Sequence, residues 1–282
     1  MVSVMNEKIP KVIHYCWFGG APLGQNELAC IESWRRLLPQ YEIKRWDETN
    51  FDVNACCYCR EAYENGKWAF VSDYARFKIL YEHGGVYLDT DVEVLKSIDE
   101  LVESGPFMGF QDNFSDGPAA VGGEGGCGTV APGLGMAAYD HMAVFEEILR
   151  YYESRHFALG NGECDVTNVV DITTDVMAHH GLCDVDGAQE VAVVTIYPSE
   201  YFNPKDSWTG EIRLTDDTYT IHHFSMSWLR PSQRAERGIA SWLVLRGWRR
   251  GPAIRIGKIV AIAMYLDVRR VVNNLLGRKN RN

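Results

Sequence analysis

The chain has 282 residues, 46% of them apolar and 23% charged, with a formal net charge of −10. These proportions belong to a globular protein with a substantial core and exclude low-complexity disorder; the length allows one large domain or two small ones. No stretch approaches 18 unbroken apolar residues, which argues against a membrane-spanning helix, and Met1–Pro10, with Asn6, Glu7 and Lys8, does not read as a secretory signal.

The charge is lopsided. Residues 229–282 hold 13 Lys or Arg against only Glu236 and Asp267, which leaves 15 bases and 36 acids in residues 1–228. An acidic body is not the footprint of a nucleic-acid binder, whereas the basic end suits an anionic surface such as lipid headgroups. Of the eight cysteines, Cys56 and Cys59 form a C-x-x-C, but no second pair stands at zinc-site spacing. Reduced thiols in a cytosolic protein are the expectation.

In chain order, Val12–Phe18 reads as a buried strand ended by Gly19-Gly20. Residues 25–37 read as a helix, Tyr41–Trp46 as a strand and residues 54–66 as a helix. A stronger helix spans Trp68–His83, with Phe70, Tyr74, Phe77 and Leu80 at helical spacing and Gly84-Gly85 as its stop. Val86-Tyr87-Leu88 is a short strand carrying Asp89-Thr90-Asp91 at its carboxyl end. Val92–Leu95 continues extended and Phe107–Phe110 is another strand. Residues 111–135 are Gly-rich and read as a long loop, in which GGEGGCGT near 121–129 lacks the Lys-Ser/Thr ending of a P-loop. Tyr139–Tyr152 reads as a helix; Val191–Ile196 and Thr218–Ile221 read as strands. The mixture predicts an α/β fold, with a boundary near Trp228–Pro231 where the charge changes sign.

Three clusters carry chemical potential. Asp89 and Asp91, two residues apart at a strand end, offer hard carboxylate oxygens where α/β sheets bind ligands; that suits Mg²⁺ or Mn²⁺ beside a diphosphate. Asp73 and Arg76, at i and i+3, share a helix face and form either a surface ion pair or a grip for hydroxyls. His222 and His223, in the run Ile221–Trp228, can complete a metal site or contact phosphate. Trp17, in the first strand, is either core or a platform for a nucleobase.

The segments IPKVIHYCWFGG (Ile9–Gly20), FVSDYARFKILYEHGGVYLDTDVEVLKSIDELV (Phe70–Val102) and TIHHFSMSW (Thr220–Trp228) resemble, in order and spacing, the DXD-motif glycosyltransferases. That family includes clostridial toxin glucosyltransferase domains, yeast initiating α-1,6-mannosyltransferases and bacterial capsular polysaccharide enzymes. The resemblance implies a GT-A type nucleotide-sugar-binding domain over residues 1–228, with helical additions, and a basic, partly amphipathic helical segment over 229–282. It implies that Trp17 stacks on the base, that Asp73 and Arg76 hold the donor sugar, and that Asp89 helps hold ribose and sugar. Asp91 is then the direct ligand of Mn²⁺ or Mg²⁺, His223 a further metal contact with His222 as its fallback, and Ser227 and Trp228 close over the diphosphate.

The expected reaction is retaining transfer of a hexose from a nucleoside-diphosphate sugar, UDP favoured, to a glycan or lipid-linked acceptor in bacterial surface polysaccharide synthesis. The expected setting is the cytoplasmic side of the membrane. A protein-modifying effector, a non-catalytic sugar-nucleotide-binding protein and a metal-dependent phosphohydrolase using Asp89 and Asp91 are the alternatives.

Overall fold

The computed structural model describes residues 8–111, 128–160, 162–183, 187–206, 209–225, 231–249 and 251–264. Two compact units result: Met1–Lys205 with Arg213–Phe224, and Asp206–Ile212 with Ser225–Asn282.

The first unit is α/β. Strand β1 (Val12–Cys16) leads to helix α1 (Gln25–Leu37), β2 (Glu42–Trp46), α2 (Cys57–Glu64), α3 (Trp68–His83), β3 (Gly85–Tyr87) and β4 (Val92–Val94). There follow α4 (Asp99–Ser104), β5 (Phe107–Gly109), β6 (Met136–Ala138), α5 (Ala143–Glu153), α6 (Val169–His179), β7 (Gln189–Val191), β8 (Val194–Tyr197), α7 (Ser199–Phe202) and β9 (Thr220–His222). Seven strands form one sheet in the order β2-β1-β3-β6-β5-β8-β7, and β4 pairs with β9 in a separate two-stranded sheet. The large sheet is mixed: β1 runs parallel to β2 and β3, while β6 runs antiparallel to β3 and β5. This meets the α/β expectation, helical additions included.

Two apolar clusters enclose the sheet. One is built on α3 and α5, with Tyr74, Phe77, Phe145 and Tyr152 fully buried; the other on α1 and the strand edges, with Ile13, Trp34 and Val86. The double glycine does more than end α3. Gly84 (φ 62°) caps the helix, and Gly85 (φ 99°) starts β3 so close to β1 that a Cβ there would lie 2.9 Å from the Val12 carbonyl oxygen. Glycine is therefore required where helix turns into strand.

Several boundaries differ from expectation. The helix expected at Tyr139 begins at Ala143, after a turn in which His141 takes φ 55°. The segment expected as one strand over Val191–Ile196 is the hairpin β7–β8, reversing at Ala192 and Val193, both with positive φ. Most of the expected Gly-rich loop, residues 112–127, lies outside the described residues; its end, 128–135, leads into β6.

The second unit contains α8 (Pro231–Val244) and a further helix over residues 251–264. Residues 265–282 of the basic segment lie outside the described residues. Among the described residues, no helix is long and apolar enough to cross a membrane.

Candidate active site

The site gathers at the carboxyl ends of β1 and β3. These strands are parallel neighbours with His14 opposite Tyr87, so Trp17, one residue beyond β1, and Asp89, two beyond β3, leave the sheet at the same edge. Trp17 is half-buried; its backbone N–H donates to Trp46 O (2.8 Å) and its indole Nε1 to Ala21 O (2.6 Å).

Asp73 and Arg76 are buried, not a surface pair, at 8% and 4% exposure. Arg76 is the hub. Its Nη2 donates to Asp73 Oδ1 at 2.9 Å and lies 3.3 Å from Asp89 Oδ1, its Nη1 reaches Asp89 Oδ2 at 3.4 Å, and its Nε donates to Ser72 O. The helix α3 thus holds the first acid of the D-x-D through a forked cation, geometry that a guanidinium supplies and an ammonium does not. Burial opposes the charge on Arg76, but Asp89, Tyr87 and Asp73 outweigh it and hold the guanidinium protonated. Burial pushes the Asp73 carboxyl up to about 7, against the pull of Arg76 and with a further push from Asp89.

Two residues gained no role from the sequence. Tyr87 donates its hydroxyl to Asp89 Oδ1 (3.1 Å), and the Arg76 guanidinium lies over its ring at 4.9 Å. Gly133 accepts from the Asp89 backbone N–H (3.1 Å), and a Cβ at that position would overlap Asp89 Oδ2. Tyr87 stood inside the motif. Gly133 was hidden in a segment read as loop, with no local signal to single it out.

Asp91 is positioned by β4. Helix α1 pins that strand through Trp34 Nε1, which donates to Val92 O (2.7 Å), and Ser33 Oγ, which accepts from Val94 N–H (2.9 Å). Opposite, β9 places His222 in register with Val92. His222 Nε2 lies 3.0 Å from Asp91 Oδ1, and its buried Nδ1 has no hydrogen-bond partner. Asp89, Asp91 and His222 each offer one ligand atom, all within 4.8 Å of one another. Two carboxylates and an imidazole fit a divalent cation of the Mn²⁺ kind.

Of the two histidines, His222, the fallback, is the one brought to the two acids. His223 turns to Glu93 Oε2 (2.9 Å) while its backbone N–H donates to Asp91 O. Asp91 stands just before β4, outside the ladder, and its carboxylate meets His222 rather than the His223 whose backbone faces it. Ser227 and Trp228 lie outside the described residues.

Residues 24–108 match the family model described as a glycosyltransferase sugar-binding region containing a DXD motif. The matched stretch runs from before α1 into β5 and contains Asp73, Arg76, Asp89 and Asp91. Residues 24–108 therefore carry a sugar-binding region of the DXD-motif glycosyltransferase kind, which supports a glycosyltransferase. Among solved structures, the PaToxG glycosyltransferase is similar at 16% identity and TM-score 0.42, covering 61% of this chain and 69% of its own. An active-site mutant of LgtC is similar at 15% and 0.41, covering 76% and 87%; the galactosyltransferase LgtC with donor and acceptor sugar analogues is similar at 13% and 0.37, covering 86% and 95%. No curated protein matches the sequence.

Proposed function

We propose that residues 1–228 form a GT-A type catalytic domain that transfers a hexose from a UDP-sugar, with retention, to a hydroxyl of a glycan or lipid-linked acceptor in bacterial surface polysaccharide synthesis. The observation that carries this reading is the convergence of Asp89, Asp91 and His222 beside the Arg76–Asp73 pair.

Asp91, Asp89 and His222 would hold Mn²⁺ or Mg²⁺, with the imidazole favouring Mn²⁺. When bound, the cation supplies positive charge against the leaving nucleoside diphosphate. The chain's own groups do the rest. Trp17 offers a half-buried aromatic face to the base at the rim of the sheet. Arg76 keeps Asp89 and Asp73 in one orientation, and the Asp73 oxygens offer acceptors to sugar hydroxyls. Ser227 and Trp228 are assigned to closure over the diphosphate, by resemblance alone. Same-face attack by the acceptor hydroxyl is the preferred route to retention, since Asp73 is held by Arg76 in a binding rather than an attacking role. The basic segment, 229–282, is assigned to an anionic membrane surface at the cytoplasmic face.

Calorimetric titration of UDP with and without Mn²⁺ tests the reading. Binding that requires Mn²⁺ and is lost in His222→Ala supports it; equal UDP binding with and without the metal refutes the assigned site.

A further inference from the structure

Residues 231–264 expose more large apolar surface than they bury. Between α8 and the helix over 251–264, the buried positions are Ala240, Leu243, Ala253, Gly257 and Ala261, all small but one. Ala253, Gly257 and Ala261 recur every four residues and so form one stripe. The helices meet closely there: a Cβ at Gly257 would lie 2.5 Å from Glu236 O and 3.3 Å from Ala240 Cβ. Ile239, Val244 and Ile256 pack partly against this core, but six further large apolar side chains, Trp242, Leu245, Trp248, Ile259, Ile262 and Met264, are between 47% and 68% exposed. A helix pair built for water does the reverse. Small residues at the contact and large ones outside suit a pair whose surroundings are themselves apolar.

The charges name those surroundings. Residues 231–264 contain seven Lys or Arg and one acid, Glu236. The Arg246 guanidinium lies 3.6 Å from the centre of the Trp242 ring. On the second helix, Arg255 and Lys258 are exposed beside Ile259 and Ile262, on the side opposite the small stripe. Long cationic side chains bury their stems with apolar neighbours and send their heads to phosphate, and Trp favours the headgroup level. The 14 described residues of the second helix cover about 21 Å, and among the described residues no helix is long and apolar enough to cross a membrane.

We infer that this helix pair embeds in one leaflet of an anionic bilayer, its outward apolar side chains among the acyl chains and its Arg and Lys heads on the lipid phosphates. This is a stronger attachment than a basic tail resting on charged headgroups, and it does not depend on the donor or metal assigned above.

Flotation of the full chain with vesicles tests it. The vesicles are phosphatidylcholine alone, or equal parts phosphatidylcholine and phosphatidylglycerol. The expected result is flotation with the mixed vesicles that survives a wash at about 1 M NaCl, where exposed charge pairing is screened within ~3 Å. An Ile259→Ser/Ile262→Ser double variant floats at least about tenfold less, as the lost apolar burial requires. Trp248→Ser, in the turn between the helices, acts in the same direction. Circular dichroism and the thermal unfolding of each variant show that the chain is still folded, whatever its donor, and so separate this inference from the reading of the active site. No flotation, full release by salt, or a double variant that floats like the parent overturns the inference. So does concentration-dependent dimerisation abolished by the double variant without any lipid binding, because a second copy then covers the face.

Discussion

Gly133 and Asp89 are packed so closely that no side chain fits between them: a Cβ on Gly133 would overlap Asp89 Oδ2 and lie 3.0 Å from Arg76 Nη1. The same glycine takes the Asp89 backbone hydrogen bond. A Gly133→Ala chain must therefore move the first acid of the D-x-D. The expected result is a 10- to 100-fold loss of Mn²⁺ affinity and of donor turnover, the order seen when the support of a ligand is disturbed. Circular dichroism should remain that of the parent. Metal titration of the two proteins checks it, and equal affinity would show that the close approach has no bearing on the site.

The two adjacent histidines separate cleanly. His222→Ala removes a candidate ligand and should weaken Mn²⁺ binding by at least about tenfold. His223→Ala breaks only a partly exposed pair with Glu93, worth under about 1 kcal/mol, and should leave metal affinity within about twofold. Paramagnetic titration with Mn²⁺ reads both. The opposite ranking would return the ligand role to His223.

Arg76 is tested by its nearest substitute. Arg76→Lys keeps a charge but cannot fork between Asp73 and Asp89. Turnover should fall on the order of 100-fold, as when a positioned donor is removed from an active site. Arg76→Ala should also destabilise the fold by about 3–5 kcal/mol, because it strands the buried Asp73. Full activity in the lysine variant would reduce Arg76 to a bulk charge.

His14 gives the unit a pH dependence that is independent of catalysis. It is buried, accepts from Trp46 Nε1 at Nδ1 (3.0 Å) and lies 3.1 Å from Gly84 O through Nε2. Both ring nitrogens are thus satisfied in the neutral form with the proton on Nε2. Burial, then His83 and Lys44, lowers its pKa from 6.5 to about 3. Between those values the unfolded chain binds a proton that the folded chain refuses. The stability involved is intact above pH 6.5 and is lost as pH falls toward 3, by up to about 1.4 kcal/mol per pH unit. Urea unfolding between pH 7.5 and 4.5 should show this slope in the parent and a shallower one in His14→Gln.

Much of this arrangement was legible in the sequence. The first strand, expected over Val12–Phe18 and found over Val12–Cys16, the helix over Trp68–His83 and the acids after β3 were carried by apolar periodicity and by glycines where the chain turns. Helix α6 was not, because Val169, Val170, Ile172, Thr173 and Thr174 are β-branched and read against a helix. Its one local cue was Asn168, whose side chain caps the helix by accepting from Asp171 N–H. The β7–β8 reversal at Ala192 and Val193 carries no Gly or Asn to announce positive φ. At the site, the choice between His222 and His223 depended on how Asp91, just outside the β4–β9 ladder, turns its carboxylate toward a residue more than 120 positions away. The Gly133 contact is likewise long-range. Local pattern showed which chemistry was present, and tertiary packing decided which side chains met.

The most direct measurement is Mn²⁺-dependent hydrolysis of a panel of sugar nucleotides by the parent chain and by Asp91→Asn. Selective cleavage of a UDP-sugar by the parent, lost in the variant, is the predicted result. Cleavage that proceeds equally in Asp91→Asn, or release of phosphate from simple esters with no sugar nucleotide cleaved, would contradict a metal-assisted glycosyl transfer at this site.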